Sequence, residues 1–367
     1  MSKLLYLGEI GYRNAGDEVM WDIFKKEANR FAANNIDVLV ACRQEYAHIS
    51  AYDIIVLGGG SLIAPSYISL LNKAMELKKS IYIWGSGVDN MAGRAGLDTL
   101  LNKRPASANL VDGNTVNQLN KIIQYSRYAA VRGPLSLGFL ELIGVNTSKV
   151  HISGDPAFLL RPNDKAKGLF TRYFEQEEAV VGINWGTVQK SIYGGKDGVV
   201  EDQLAAAAKS LIHKGYSILL YHVWPDDIPA SKRLLSKIGI PGKVKMADTV
   251  YPYQIMSLIR KCRFTINLKL HASILSAVMG VPFISLGYRF KMFDFASSIS
   301  MLPFVIPMDS PALSSDILRL SGQIEANQTR LNKDLRREVS NYSGMLSNSF
   351  FEDTLGEELR DGRERDH

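Results

Sequence analysis

Residues 264–291, Phe264-Thr-Ile-Asn-Leu-Lys269-Leu-His271-Ala272-Ser-Ile-Leu-Ser-Ala-Val-Met-Gly280-Val-Pro282-Phe-Ile-Ser-Leu-Gly-Tyr288-Arg289-Phe-Lys291, decide the fold. The apolar run 264–268 reads as a strand that ends at Lys269 and His271. A compact helix of small and apolar residues follows, stopped by Gly280, and Val281-Pro282 opens a second strand. A strand–turn–helix–strand unit of this kind sets a cation and a titratable imidazole beside a helix N-terminus. The free N–H groups and dipole of such a terminus favour an anion. Tyr288, Arg289 and Lys291 arrive at the end of the next strand, on the same rim. A phosphate or carboxylate site is the expectation.

The same alternation extends in both directions. Runs 3–7, 36–41, 52–57, 80–84 and 128–131 read as strands, and 17–33, 67–79 and 115–126 as helices between them. A further short strand precedes Asp155-Pro156. Arg161-Pro162-Asn163-Asp164-Lys165 is polar and turn-rich, which suits a domain boundary. The pattern then restarts, with strands at 179–184, 217–223, 244–246, 263–268 and 283–287 and helices at 200–214, 229–238, 252–261 and 271–279. The expected fold class is α/β. Two Rossmann-like domains, 1–162 and 163–312, face a cleft and resemble the GT-B architecture of glycosyltransferases. Residues 313–350 read as polar helices that cross back to the first domain, and 351–367 as a disordered polar tail.

Bulk properties narrow the function classes. The chain has 367 residues, 46% apolar and 22% charged, which suits two globular domains. Cys42 and Cys262 give neither a disulfide framework nor a zinc spacing, so a reducing, cytoplasmic compartment is expected. The N-terminal apolar stretch is too short for a signal peptide, and no apolar run approaches the ~18 residues of a spanning helix. Net charge is +6, and the last 17 residues hold seven acidic and three basic groups, which leaves about +10 on residues 1–350. That excess suits anionic ligands or the inner face of a cell membrane. No nucleic-acid module or aromatic-interleaved basic stripe occurs, so no nucleic-acid partner is expected.

Several glycine-rich turns follow strands. Gly8-Glu-Ile-Gly-Tyr-Arg-Asn14-Ala-Gly-Asp17-Glu18 is neither G-x-G-x-x-G nor a P-loop. Asn14 and Asp17 there either hydrogen-bond sugar hydroxyls or, in the plainer reading, Asp17 only caps the next helix. Gly58-Gly59-Gly60-Ser61 and Trp84-Gly85-Ser86-Gly87 put bare backbone where α/β folds bind ligands, or are simply sharp turns. Arg132 offers a planar fork to a carboxylate or phosphate, or forms a surface ion pair. Trp185, after the first strand of the second domain, stacks on a sugar ring or is simply packed. His222 lies near Asp226-Asp227, a poor pattern for a metal, and no G-x-S-x-G elbow occurs. No metal site is expected.

Taken in order, these segments resemble the polysaccharide pyruvyltransferase family. Gly11-Tyr-Arg-Asn14-Ala-Gly-Asp17-Glu18 resembles its G-x-x-N-x-G-D-E turn, and Gly58–Gly60 its triple glycine. Val131-Arg132-x-Pro-Leu-Ser136 resembles V-R-D-x-x-S, and Gly154-Asp155-Pro156-Ala157 its D-P-A/D segment. Lys269-Leu-His271-Ala272 with Pro282, Tyr288 and Lys291 resembles R-x-H-x…P…Y-x-x-K. The sequence departs at Lys269, where the family has arginine, and at Gly133, where it has aspartate. Lysine keeps the charge but not the bidentate fork.

The resemblance implies transfer of pyruvate from phosphoenolpyruvate to two hydroxyls of one hexose in a glycan or its lipid-linked precursor, giving a cyclic ketal and phosphate. Phosphoenolpyruvate is then a substrate, and no cofactor is implied. Lys269, Lys291, Arg132, Asn184 and Ala272 are the implied donor-binding residues. Asn14, Asp17, Glu18, Gly59, Gly60 and Trp185 are the acceptor-binding ones. His271 is the candidate general acid, with a pKa near working pH, and Asp17 or Glu18 would orient the acceptor hydroxyl. Peripheral association with the membrane is expected, and the oligomeric state is not readable. A nucleotide-sugar-dependent GT-B glycosyltransferase is the alternative, and a non-catalytic glycan-binding protein a third reading.

Overall fold

Runs such as Ile54-Ile55-Val56-Leu57 and Phe264-Thr265-Ile266-Asn267 are buried at every position, with no inward–outward alternation. That pattern belongs to parallel strands covered by helices on both faces. In the computed structural model, which describes residues 2–11, 15–32, 36–102, 110–161, 168–188 and 197–361, they form two such sheets. The chain divides into two units, Met1–Leu159 with Ser340–His367, and Leu160–Val339.

The first sheet contains β1 (Ser2–Leu7), β2 (Ile36–Val40), β3 (Ile54–Leu57), β4 (Ser80–Ser86), β5 (Tyr128–Val131) and β6 (Val150–Ile152). Their order is β2-β1-β3-β4-β5-β6, every pair parallel. The order reverses between β1 and β3, and there the Gly8 turn and Gly58–Gly60 leave the sheet. The second sheet contains β7 (Val180–Asn184), β8 (Ser217–Tyr221), β9 (Val244–Met246), β10 (Phe264–Asn267), β11 (Phe283–Gly287) and β12 (Val305–Pro307). It runs β12-β11-β10-β7-β8-β9, again all parallel. Here the reversal lies between β7 and β10, the strand that ends at Lys269. Ligands of open α/β sheets bind at the carboxyl ends of strands at such reversals.

Among the described residues four α-helices lie outside the expected set: Gly93–Asn102, Pro134–Leu142, Phe290–Ser298 and, in the tail, Gly356–Asp361. All are short, and Pro134–Leu142 and Phe290–Ser298 are rich in apolar residues, so those two lack the polar face that marks a surface helix. Strand β12 also lies outside the expected set.

Residues 351–361 of the expected disordered tail are helical, which corrects that part of the expectation, and 362–367 lie outside the described residues. The helix Leu313–Gly344 runs on into a wide π-helical stretch, Met345–Leu355, and the α-helix Gly356–Asp361. Leu346, Phe350, Phe351, Leu355 and Leu359 are all buried. The Phe350 ring lies 5.5 Å from Trp84, and the Phe351 ring 5.3 Å from Phe24. Trp84 Nε1 donates to the Leu346 carbonyl at 3.2 Å. Ser80 and Tyr82 both donate to the Glu358 carboxylate. Burial, reinforced by Glu358, pushes the Tyr82 hydroxyl pKa strongly up. The acidic charges between these apolar residues gave the tail its disordered look. Among the described residues no helix is long and apolar enough to cross a membrane.

Candidate functional site

At the switch point of the second unit, Asn184 ties three strand ends together. Its Nδ2 donates to the Tyr221 carbonyl at 3.1 Å, and its Oδ1 accepts the Lys269 backbone N–H at 2.9 Å. Asn184 is wholly buried with both polar atoms engaged, so it positions Lys269 and does not itself face a ligand. This corrects its expected donor contact.

The Lys269 side chain turns back across the strand ends. Its ammonium donates to the Thr187 carbonyl at 2.9 Å and lies 3.2 Å from Asp227 Oδ1. It also sits 5.3 Å from the centroid of the Trp224 ring. Asp227, wholly buried, closes the short turn Pro225–Asp227 beyond β8 and accepts the Thr187 N–H at 3.2 Å. A Cβ at Gly186 would lie 2.1 Å from Asp227 Oδ1, so only glycine lets the backbone wrap the carboxylate this closely. Burial raises the Asp227 carboxyl pKa from its ordinary value, while Lys269 pulls the other way.

That shift carries a signed prediction. An acid whose folded pKa is raised contributes stability that is whole below its unfolded pKa and lost as pH rises through the folded value. Asp227→Asn imitates the protonated form. The stability of the variant relative to wild type should therefore increase as pH rises through and above the carboxylate range, measured by denaturant unfolding at several pH values. A stability of the variant relative to wild type that falls as pH rises would mean Lys269 outweighs burial.

His271 occupies the first turn of the helix Leu270–Val278, half-buried, and Lys269 is the extended N-cap, with no side-chain cap bond. Ala272 is buried, and its N–H donates to the Lys269 carbonyl at 3.1 Å. Its expected donor contact is corrected for that reason. Lys291 and Arg289 are half-buried at the start of the helix Phe290–Ser298, beyond β11, the neighbour of β10.

Trp185 is not a sugar platform. It is wholly buried, and its Nε1 donates to Glu201 at 3.1 Å. Burial alone would raise the Glu201 carboxyl, but hydrogen bonds from Arg233 and Trp185 outweigh it and hold the pKa below its ordinary value. His222 is buried too, its Nδ1 has no hydrogen-bond partner among the described residues, and desolvation lowers its pKa, which favours the neutral ring. Among the described residues no group of three or more His, Cys, Asp or Glu side chains is placed to hold a metal.

In the first unit the triple glycine serves close packing. A Cβ at Gly58 would lie 2.0 Å from the Tyr6 ring, and one at Gly59 2.5 Å from Met20 Sδ, so Gly59 is spent inside the fold and not on an acceptor. Gly60 takes φ +108°, with more room around it, and Asp17 Oδ1 lies 3.5 Å from where its Cβ would be. Asp17 falls within the helix Ala15–Ala32 and is not its cap. Burial, then the Asp17 charge, raises the Tyr6 hydroxyl pKa. Glu18 Oε1 accepts the Gly11 N–H at 2.7 Å and so braces the turn. Arg132 is wholly buried against Gly87, where a Cβ would lie 2.4 Å from its guanidinium. It is neither a surface ion pair nor an exposed anion fork, because packing encloses it. Asn14 lies outside the described residues.

The residues missed from sequence are Asp227 and Trp224. Trp-Pro-Asp-Asp after a strand was the available signal, but a partner 42 positions away in the chain had no local mark.

A profile of the polysaccharide pyruvyl transferase family matches residues 12–289. The amylovoran biosynthesis protein AmsJ of Erwinia amylovora is 21% identical over 327 residues, covering 84% of this chain and 73% of that protein. Among solved structures, the S. aureus MnaA–UDP complex aligns with a TM-score of 0.60 at 9% identity, covering 95% of this chain and 94% of that one. UDP-GlcNAc 2-epimerase from Neisseria meningitidis aligns at 0.58 with 13% identity, covering 96% and 99%. Anabaena Alr3699/HepE, solved with UDP and glucose, aligns at 0.55 with 12% identity, covering 98% and 100%. These likenesses are of fold, the GT-B-like pairing of parallel α/β sheets.

Proposed function

Since the chain belongs to the polysaccharide pyruvyl transferase family, we propose that it moves the pyruvyl group of phosphoenolpyruvate onto two hydroxyls of one hexose, in a cell-surface polysaccharide or its lipid-linked precursor. The observation that carries this reading is Lys269, its ammonium fixed by Asp227 and the Thr187 carbonyl at a sheet switch point, two residues from His271. A small double anion needs such a preset cation and a helix start in its company.

The chemistry assigns roles. His271, as imidazolium, gives a proton to the methylene carbon of the enol ester, which becomes a methyl group. The C2 cation so formed is attacked by one sugar hydroxyl, whose proton leaves to a base. The second hydroxyl then attacks C2 as the C2–O bond to phosphate breaks, its proton leaves with the phosphate, and the ketal ring closes. Lys269 and Lys291 offset the donor's carboxylate and phosphate charge. No metal or cofactor enters this scheme.

The test incubates the protein with phosphoenolpyruvate and a panel of lipid-linked or nitrophenyl hexosides. Phosphate release together with a product heavier by pyruvate less water is expected. Consumption of a nucleotide sugar, with phosphoenolpyruvate untouched, would overturn the proposal in favour of glycosyl transfer.

A lipid-linked acceptor would bring the enzyme to the inner membrane face. A recess of about 700 Å³ in the second unit offers the charge: Arg260, Lys261, Arg263, Lys333 and Arg336 line it with Glu177 and Glu178. None of the five cations pairs with a carboxylate among the described residues, whereas Arg319 and Arg337, on the helix Leu313–Gly344 that carries Lys333 and Arg336, do. Each basic group near an anionic surface is worth about 1 kcal/mol. Flotation with phosphatidylserine vesicles is expected at low salt and should weaken when Lys261, Lys333 and Arg336 become glutamate. Equal flotation of that variant would remove the recess from the membrane contact.

A further inference from the structure

We infer that Trp224 is the platform on which the acceptor hexose stacks, a role no residue of the buried Trp185 type can fill. The inference rests on the proposed pyruvyl transfer and deepens it. Trp84 and Trp185 are wholly buried, and Trp21 leans on Tyr6 and Phe24, with Lys25 over its ring. Trp224 alone joins a substantial exposure, 36%, to a place at the carboxyl edge of the second sheet. Its ring centroid lies 5.3 Å from the Lys269 ammonium, the cation assigned to the donor.

The exposure is built in. Trp224 sits in extended backbone (φ −143°, ψ 130°) between the buried Val223 and Pro225, which opens the turn to the buried Asp227. His222, Val223 and Asp227 anchor the segment on both sides of the ring, and Asp227 is bonded to Thr187 and Lys269. An indole held this way keeps its shape without a ligand and loses little entropy when one binds. A lone exposed aromatic is unremarkable on a protein surface. One fixed against the site's lysine is different, because it presents a flat apolar face within reach of the donor.

A pyranose matches that face. Its axial C–H groups form an apolar side that packs on an indole, while its hydroxyls stay at the rim, free to react. The neighbouring ammonium is already engaged by Thr187 and Asp227, so the sugar need not displace it. A hexose seated there would carry its hydroxyl pair beside Lys269, as closing a ketal on C2 of the donor requires.

Two independent readouts test this. In steady-state assays with a nitrophenyl hexoside, Trp224→Ala should raise the acceptor KM about tenfold or more while leaving the KM for phosphoenolpyruvate unchanged. Trp224→Phe, which retains a flat ring, should restore most of the affinity. An unchanged acceptor KM, or a rise confined to the donor KM, would overturn the inference and leave Trp224 as a brace for Lys269. The second readout needs no turnover. Methyl hexosides should shift the intrinsic tryptophan emission of the wild-type protein but not of Trp224→Phe. If UDP shifts it and hexosides do not, the platform belongs to a nucleobase and the inference fails. If hexosides shift it while phosphoenolpyruvate yields no phosphate, the stacking role stands and the pyruvyl-transfer reading fails. Thermal unfolding of both variants checks that each is folded.

Discussion

Truncation after Gly344 is expected to leave the first unit unfolded. The removed segment carries Leu346, Phe350, Phe351, Leu355 and Leu359, all buried. Each fully buried side chain of this kind contributes about 1.5–3 kcal/mol, so the five sum to roughly 8–15 kcal/mol. That is the whole net stability of an ordinary domain, about 5–15 kcal/mol. The loss would also strip Trp84 Nε1 of its carbonyl partner and Tyr82 of Glu358, both in the sheet itself. Circular dichroism and limited proteolysis should show a first unit with no cooperative transition. The single change Phe350→Ala, which opens a cavity beside Trp84 and Tyr128, should cost about 3–5 kcal/mol. A truncated chain that melts cooperatively within a few degrees of wild type would mean the segment only decorates the surface.

His271→Ala is expected to lower turnover by about 10²–10⁴-fold, the usual worth of a positioned general acid, with the melting temperature unchanged. The half-buried ring sits in the first turn of a helix whose buried apolar residues include Ile274, Leu275 and Ala277, and thermal unfolding of the variant checks that the fold is kept. His271→Gln separates the possible roles, since an amide donates a hydrogen bond but delivers no proton. If the imidazole is the acid, Gln should be as slow as Ala, and the limb of the pH–rate profile lost above the histidine pKa should disappear in both. Near-normal turnover would remove the acid role. A raised KM for phosphoenolpyruvate with unchanged kcat would recast His271 as an anion contact.

Most of the sheet strands were legible because a strand covered on both faces is buried throughout and so is apolar at most of its positions. Ile54-Ile55-Val56-Leu57 and Phe283-Ile284-Ser285-Leu286-Gly287 announce themselves by composition alone. Strand, turn and helix are local objects, and the turn residues at their joints are local too. This is why Lys269 and His271 could be assigned to a strand end and a helix start from spacing. The helix Pro134–Leu142 escaped because its residues give no polar face to mark a period.

Side-chain direction was much less legible. Arg132, Asn184 and Trp185 occupy the strand ends where ligands bind in this fold class, yet each is enclosed. A residue at a strand terminus points either to the rim or into the layer of helices, and its type does not decide which. Arg132 meets Gly87, Asn184 meets Tyr221 and Lys269, and Trp185 meets Glu201. Every one of those partners comes from a different element, so no spacing rule connects them.

The amino-acid order by itself determined the parallel α/β class, the restart that makes two sheets, and the line of glycine turns and cations that marks the family. These depend on period, turn chemistry and composition, which act over a few neighbouring residues. Tertiary structure decided which of those residues remain open to a ligand. It withdrew Trp185 and exposed Trp224, paired Lys269 with Asp227 from another loop, and folded an acidic tail onto Trp84. Burial is a property of the whole packed chain, set by whatever distant segment happens to cover a surface, and no local stretch encodes it.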